Sequence, residues 1–327
     1  MKRTHATIPW TILLACLLAL AGCGRSETAT SEAAVSASAF APEPAPPADS
    51  TGGFDGQRAY QHVADIVAFG PHTAGTDGDR HVQDYIVGKL QSFGCPVDQE
   101  DFHSQTPIGT VAMKNIVAKI PGASPDILMF TTHYDSLRLD NFVGADDGGS
   151  STGVMLELAR LLCQRKNAMT IWIVFFDAEE AFVKWSDTDS TYGSRELAAR
   201  MALSGDLNRV KAFLLADLVG GRNLHVSRDA NSTDWLKDMV WSTAKRLGYG
   251  NIFISQSSEI EDDHLPFVSR KVPCVDIIDL DFNDIPYWHT TADTLDKVSA
   301  RSLGIVGHVL IQVVPQLEQK FRSGKPA

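Results

Sequence analysis

The sequence predicts an open α/β fold, a doubly wound and mostly parallel mixed sheet with helices on both faces. Three observations lead there. Several short runs are rich in β-branched and aromatic residues, as strands buried on both faces are. Segments of helical period stand between them, an alternation that gives a largely parallel sheet covered by helices. Acids and histidines come directly after four of the runs, and open α/β sheets bind ligands outside the carboxyl ends of their strands.

At the N-terminus, Lys2 and Arg3 precede an apolar segment, Thr11 to Leu20, that is too short to span a membrane. Residues 1–22 therefore read as a secretion signal, outside any fold reasoning. Its ending, Leu20-Ala21-Gly22-Cys23, resembles the bacterial lipobox. That resemblance implies cleavage before Cys23 and a lipid on that cysteine. Gly24 does not resemble an inner-membrane retention signal, so in a Gram-negative host the expected place is the periplasmic side of the outer membrane. Residues 23–53 carry almost no large apolar side chains and read as a lipidated cysteine followed by a disordered tether. A single domain is expected over residues 54–327. Its strands are expected at Asn115–Ile120, Ile127–Thr132, Ile171–Phe176, Ala212–Leu215 and Val275–Ile278. Its clearest helices are Gly78–Phe93, Ser151–Cys163, Ser194–Leu203, Trp235–Leu247 and Ser299–Leu317.

A net charge of −11 argues against a nucleic-acid partner. Membrane contact is expected only through the N-terminal lipid, and the domain itself is expected to be monomeric. Beyond the signal, Cys95, Cys163 and Cys274 form no zinc-ribbon spacing. A secreted protein permits a disulfide, but nothing in this pattern demands one.

The chemistry gathers at the strand ends. Ile127–Thr132 runs into His133-Tyr134-Asp135, and Ile171–Phe176 into Asp177, Glu179 and Glu180. Ala212–Leu215 runs into Asp217, and Val275–Ile278 into Asp279 and a loop that ends in Trp288-His289. Buried charge is costly unless something pairs with it. Histidine and carboxylates from separate loops suit zinc, which at catalytic sites keeps one position open. Any one of these residues alone reads as a solvated acidic loop or an ion pair; the whole set on one sheet edge reads as a metal site. Glu179 and Glu180 are neighbours and point differently, so one can bind metal while the other moves protons. Gly144-Ala145-Asp146-Asp147-Gly148-Gly149-Ser150 can turn a carboxylate inward or simply open a helix. Trp185 and Trp288 stand in polar sequence, either as pocket walls or as core aromatics under a loop. Asp262-Asp263-His264 reads as a turn and helix start.

The order HYDS, FVGADDGG, FFDAEEAFVKWSDTDSTYGSR, LLADLVGG, EDDHLPF and YWHT resembles the animal-type glutaminyl-peptide cyclotransferases. It also resembles their relatives, the secreted bacterial zinc aminopeptidases. The likeness spans roughly residues 57 to 318 and implies a zinc-exopeptidase-like fold in one domain. It implies that Asp147, Glu180 and His289 hold zinc and that Glu179 is the general acid and base. Asp217 and Asp262 match acids that share a hydrogen-bond network with Glu179. Trp185, Trp288 and Ile260 match positions lining the substrate pocket. In the aminopeptidases His133 and Asp217 hold a second zinc with Asp147 bridging, and Asp135 supports His133 from behind.

The resemblance implies an acyltransferase acting on peptide or protein N-termini, one that turns N-terminal glutamine into pyroglutamate with one zinc. The alternative it leaves open is a two-zinc aminopeptidase. ADDGGSSTG and HTTADTLDKVS are peptidase-like, whereas KWSDTDSTYGSR and EDDHLPF favour the cyclases. Leu137 stands where animal cyclases carry a lysine, and Thr132 and Thr152 where vertebrate cyclases place a disulfide. A metal-free binding scaffold is the third reading; it disagrees with a complete ligand set.

Overall fold

The computed structural model describes residues 44–280 and 285–322. The expected signal 1–22, Cys23 and the tether as far as residue 43 lie outside the described residues. Among the described residues no helix is long and apolar enough to cross a membrane.

A six-stranded sheet carries the fold. Its strands are β1 (Val97–Thr106), β2 (Gly109–Ile120), β3 (Gly122–His133), β4 (Asn167–Phe176) and β5 (Val210–Asp217), with β8 (Cys274–Ile278) at one edge. The spatial order is β1-β2-β4-β3-β5-β8. β4, β3, β5 and β8 run parallel, while β1 and β2 add antiparallel neighbours at the other edge. The mixed sheet expected from the sequence is therefore present. β6 (Val226–Asp229) and β7 (Phe253–Ser258) form a separate parallel pair.

The strand runs read as apolar throughout because the sheet is covered on both sides. Ile116, Phe130, Ile173 and Leu214 pack one face. They meet Val63 of α1 (Gly56–Val67), Leu158 of α3 (Gly149–Leu162) and Val309 of α7 (Ala300–Arg322). Val117, Met129, Val174 and Phe213 pack the other face, against Leu197 of α4 (Tyr192–Ser204) and Phe267 of α6 (Leu265–Val268). Alternate residues of one strand thus serve two cores, as the period-2 geometry of a strand requires. α2 (Asp77–Ser92) and α5 (Asp234–Arg246) complete the helices.

From β3 the chain passes through α3 to β4 on one side. From β5 the next strand of the same sheet is β8, on the other side. β3 and β5 are neighbours whose onward connections diverge, which opens a crevice at their carboxyl ends.

Two features add to the sequence reading. Cys95 and Cys163 form a disulfide that joins the exit of α2 to the end of α3, while Cys274 is free and buried. The folded unit also begins before residue 54. Phe54 packs its ring where a Cβ at Gly307 would stand 2.1 Å away, so only glycine admits it. Anchored there, the preceding chain runs along the surface: Thr51 is buried, Arg160 donates to the Gly53 carbonyl at 3.1 Å, and Pro46 rests against Gly304.

Candidate active site

In the β3–β5 register Thr131 stands opposite Leu215. Two residues further on both strands end, and His133 Nε2 meets Asp217 Oδ1 at 3.1 Å. β4 runs on the other side of β3 with Phe176 opposite His133, so Asp177 to Glu180 emerge beside that histidine. Ala178, Leu218 and His289 have positive φ angles of 55°, 48° and 53°. Left-handed backbone at such residues costs about 1–3 kcal/mol each and persists only where the surroundings hold it. Here it turns the chain sharply between or at chemically important side chains.

The turn before α3 brings in Asp147. Gly148 has φ +75°, and a Cβ on it would lie 2.8 Å from the His133 ring, so glycine is required for Asp147 to sit this close. Asp293 accepts the N–H groups of Asp146 and Asp147 at 2.9 and 3.0 Å, which fixes the loop. Hydroxyls secure the start of α3: Thr152 donates to the His133 carbonyl at 2.9 Å, and Thr132 to Ser151 at 2.6 Å. Asp135 lies 3.5 Å from His133 Nδ1 and accepts the N–H groups of Glu179 and Glu180 at 3.0 and 3.3 Å. It therefore aligns the acidic turn as well as facing the histidine.

Two groups of donor atoms result, and Asp147 belongs to both. In the first, His289 Nε2 lies 3.3 Å from Asp147 Oδ2 and 3.4 Å from Glu180 Oε1. Those two carboxylate oxygens are buried yet accept no hydrogen bond. Nitrogen and carboxylate donors that converge without satisfying one another fit a zinc ion. In the second group, His133 Nε2 lies 3.1 Å from Asp217 and 3.4 Å from Asp147 Oδ1. The same His133–Asp217 pair is also at hydrogen-bond distance.

The site concentrates negative charge in a dry setting. Burial pushes the Glu179 carboxyl well above its ordinary range; His133 opposes this, while Asp262, Glu180 and Asp263 add repulsion. Burial raises Glu180 to about 7, with Asp147 adding to it and His289 opposing. Asp262 is likewise pushed well up by burial and then by Asp217. Burial lowers His289, but Asp147 and Glu180 outweigh it and bring its pKa to about 10. Among the described residues no hydrogen bond joins the Glu179 carboxylate to Asp217 or Asp262. Asp262 acts on Glu179 through charge repulsion. Asp217 instead bonds His133 and the Leu218 N–H, and Asp262 bonds the Asp263 N–H.

Above these groups lies a cavity of about 290 Å³. Trp185, Ile260, Ile278 and Trp288 form apolar walls, with Glu179 and Asp262 among the polar lining. The Trp288 ring stacks on His289 at 3.9 Å, and Trp185 Nε1 donates to Glu261 at 3.1 Å. Both tryptophans are thus at the cavity rather than in the core.

Some contributors were not singled out by sequence. Asp293 orients Asp147 from four positions beyond His289, and its signal was the repeated acid in HTTADTLDK. Asp146 accepts the Tyr287 hydroxyl at 2.7 Å and the Gly220 N–H at 2.8 Å. Asp263, beside Asp262, is fully buried and raised to about 7, chiefly by burial.

The sequence profile of peptidase family M28 matches residues 115–314. A glutaminyl-peptide cyclotransferase of Drosophila melanogaster is 30% identical over 268 residues, 72% of this chain and 75% of that protein. The solved glutaminyl cyclase of an Acidobacteriales bacterium is 36% identical with a TM-score of 0.77 and covers 90% of this chain and 100% of its own. A solved leucine aminopeptidase precursor from Bacteroides thetaiotaomicron is 28% identical with a TM-score of 0.73 and covers 80% of this chain and 97% of its own. Fold and site together define a metallopeptidase-like α/β enzyme with its ligands at the switch point of a mixed sheet. Within that class, the chain belongs to peptidase family M28.

Proposed function

We propose that this protein is a zinc-dependent glutaminyl-peptide cyclotransferase, converting N-terminal glutamine of peptides and proteins to pyroglutamate with release of ammonia. One observation carries the reading. Glu179 is a buried carboxyl outside both donor groups, with a raised pKa, lining a tryptophan-walled cavity of about 290 Å³. That volume suits one side chain rather than an extended peptide.

Asp147, Glu180 and His289 hold the metal; when bound, zinc supplies Lewis acidity toward a carbonyl oxygen. Trp185, Trp288 and Ile260 confine the glutamine side chain so that its γ-carbonyl approaches its own α-amine. Glu179 takes a proton from the α-amine as the new C–N bond forms. It returns that proton to the departing nitrogen as the amide C–N bond breaks and ammonia leaves. No water attacks, so the apolar walls serve by excluding it.

The second reading is an aminopeptidase, favoured by the group His133, Asp147 and Asp217. Residues 44–327 reconstituted with zinc and given Gln-Phe-Ala and Leu-Phe-Ala distinguish the two by mass spectrometry. Loss of ammonia from the glutamine peptide, absent in Glu179→Gln, is the expected result. Release of free leucine instead would move the protein to the peptidases.

The reading extends to the N-terminus. Cys23 carries a lipid that anchors a monomeric catalytic domain to the periplasmic side of the outer membrane. Labelled palmitate incorporated in the wild type but not in Cys23→Ala is the expected outcome; equal labelling would remove the anchor.

A further inference from the structure

A second groove of about 430 Å³ adjoins the metal-side cavity and shares Trp185, Glu261 and Asp262 with it. Beyond that shared wall stand Arg195 of α4 and Arg270 after α6. Resting on the peptide-cyclising reading of the adjoining cavity, we propose that this groove binds the substrate residues after the first and selects a carboxylate among them through Arg195 and Arg270.

The arginines are set up for such a ligand. Arg195 donates to the main-chain carbonyls of Thr191 and Asp187 at 3.3 and 3.2 Å, with its guanidinium 4.6 Å over the Tyr192 ring. Arg270 donates to the Pro266 carbonyl at 2.7 Å. Among the described residues neither meets a carboxylate. Arg160, Arg200, Arg209 and Arg228 all do. In a chain of net charge −11, two such cations lining one groove are not explained by ion pairing within the fold. Among the described residues none of the groove's three acids, Asp187, Glu261 and Asp262, forms an ion pair with either arginine. Glu261 lies on the wall shared with the cavity and takes the Trp185 N–H, and Asp187 offers Arg195 its carbonyl.

The two spaces together match a peptide's own polarity. The acid-rich cavity receives the end bearing the free amine, and the groove across Trp185 receives the second and third residues. A guanidinium that already holds one carbonyl is oriented for a further charge-assisted bond to a carboxylate. That carboxylate is either an acidic side chain at the second or third position or the C-terminus of a short peptide.

The test measures kcat/KM by mass spectrometry for amidated Gln-Ala-Glu-Ala and Gln-Ala-Lys-Ala, and for the same pair with the charge at the second position. Gln-Ala-Ala with a free carboxylate and its amide identify the C-terminal source. The expected result is roughly a tenfold preference for the carboxylate in at least one arm, carried by KM and weakened by salt. Arg195→Gln/Arg270→Gln should bring the ratio to about 1. Because Arg195 also braces the 187–192 turn, Arg270→Gln alone, at an exposed position, should lower the ratio without loss of fold. Equal rates in every arm, or a preference that survives in the double variant, overturn the groove while leaving the cyclase reading intact. No ammonia loss from any peptide overturns the cyclase reading. Calorimetric binding of amidated Gly-Ala-Glu-Ala against Gly-Ala-Lys-Ala then decides the groove independently, equal affinities counting against it.

Discussion

Asp293 Oδ2 accepts the main-chain N–H of Asp147 at 3.0 Å, four residues beyond a histidine that faces the same aspartate from the other side. The loop and the ligand it carries are thereby fixed to one chain segment. Outer partners of this kind typically contribute 10- to 100-fold in metal affinity. Asp293→Ala should weaken zinc binding by about that factor, with Asp293→Asn in between because its amide keeps one acceptor. Competition with a chelator of known affinity measures it, and wild-type affinity in the alanine variant would contradict the arrangement.

Glu179 belongs to neither donor group and lines the cavity. Its replacement separates proton transfer from metal binding. Glu179→Gln should lower kcat by about 10²- to 10⁴-fold while the bound zinc per chain is unchanged. Loss of zinc in parallel with activity would assign this side chain to the metal instead.

The parallel strands were legible because both faces of the sheet are covered, leaving β3, β4 and β5 as apolar runs. β1 was not legible. Its sequence, VDQEDFHSQT, is polar because it lies at an edge, and only Phe102 is buried. Convergence of His133, Glu180 and Asp217 came from strand ends at a switch point, which sequence shows directly. The Asp293 clamp was hidden, since a carboxylate bonding main-chain N–H groups leaves no periodic mark. The Cys95–Cys163 bridge depends on how α2 and α3 pack, and spacing alone cannot show that.

That bridge closes a loop between residues 68 positions apart. Closing a loop of this size removes freedom mainly from the unfolded chain and contributes about 2–4 kcal/mol. Cys163 caps the end of α3, whose start carries the Asp147 loop, so the staple secures the helix from its far end. The urea midpoint should fall on adding reductant, and Cys95→Ala/Cys163→Ala should show the lower midpoint without responding to it. A midpoint indifferent to reductant in the wild type would mean that the bridge contributes nothing.

Behind the site lies a buried acid pair that takes no part in metal binding. Asp79 Oδ2 accepts from the Gly75 N–H at 2.8 Å and from Gln83 at 2.9 Å. Gln83 also reaches Asp177 Oδ2 at 3.4 Å, and one oxygen of each acid has no partner. Burial raises Asp79 from an ordinary 3.8 to about 7, and raises Asp177 as well, with Asp79 adding repulsion. The folded pKa of Asp79 thus lies above the unfolded one. The folded state binds the proton more tightly, so this contribution is fully present below about pH 4 and is lost as pH rises toward 7. Asp79→Asn stays neutral throughout and keeps an acceptor for Gly75. Its melting temperature should therefore gain on the wild type as the buffer moves from about pH 5 to about pH 8. Parallel profiles for the two proteins would show that Asp79 titrates alike in the folded and unfolded chains.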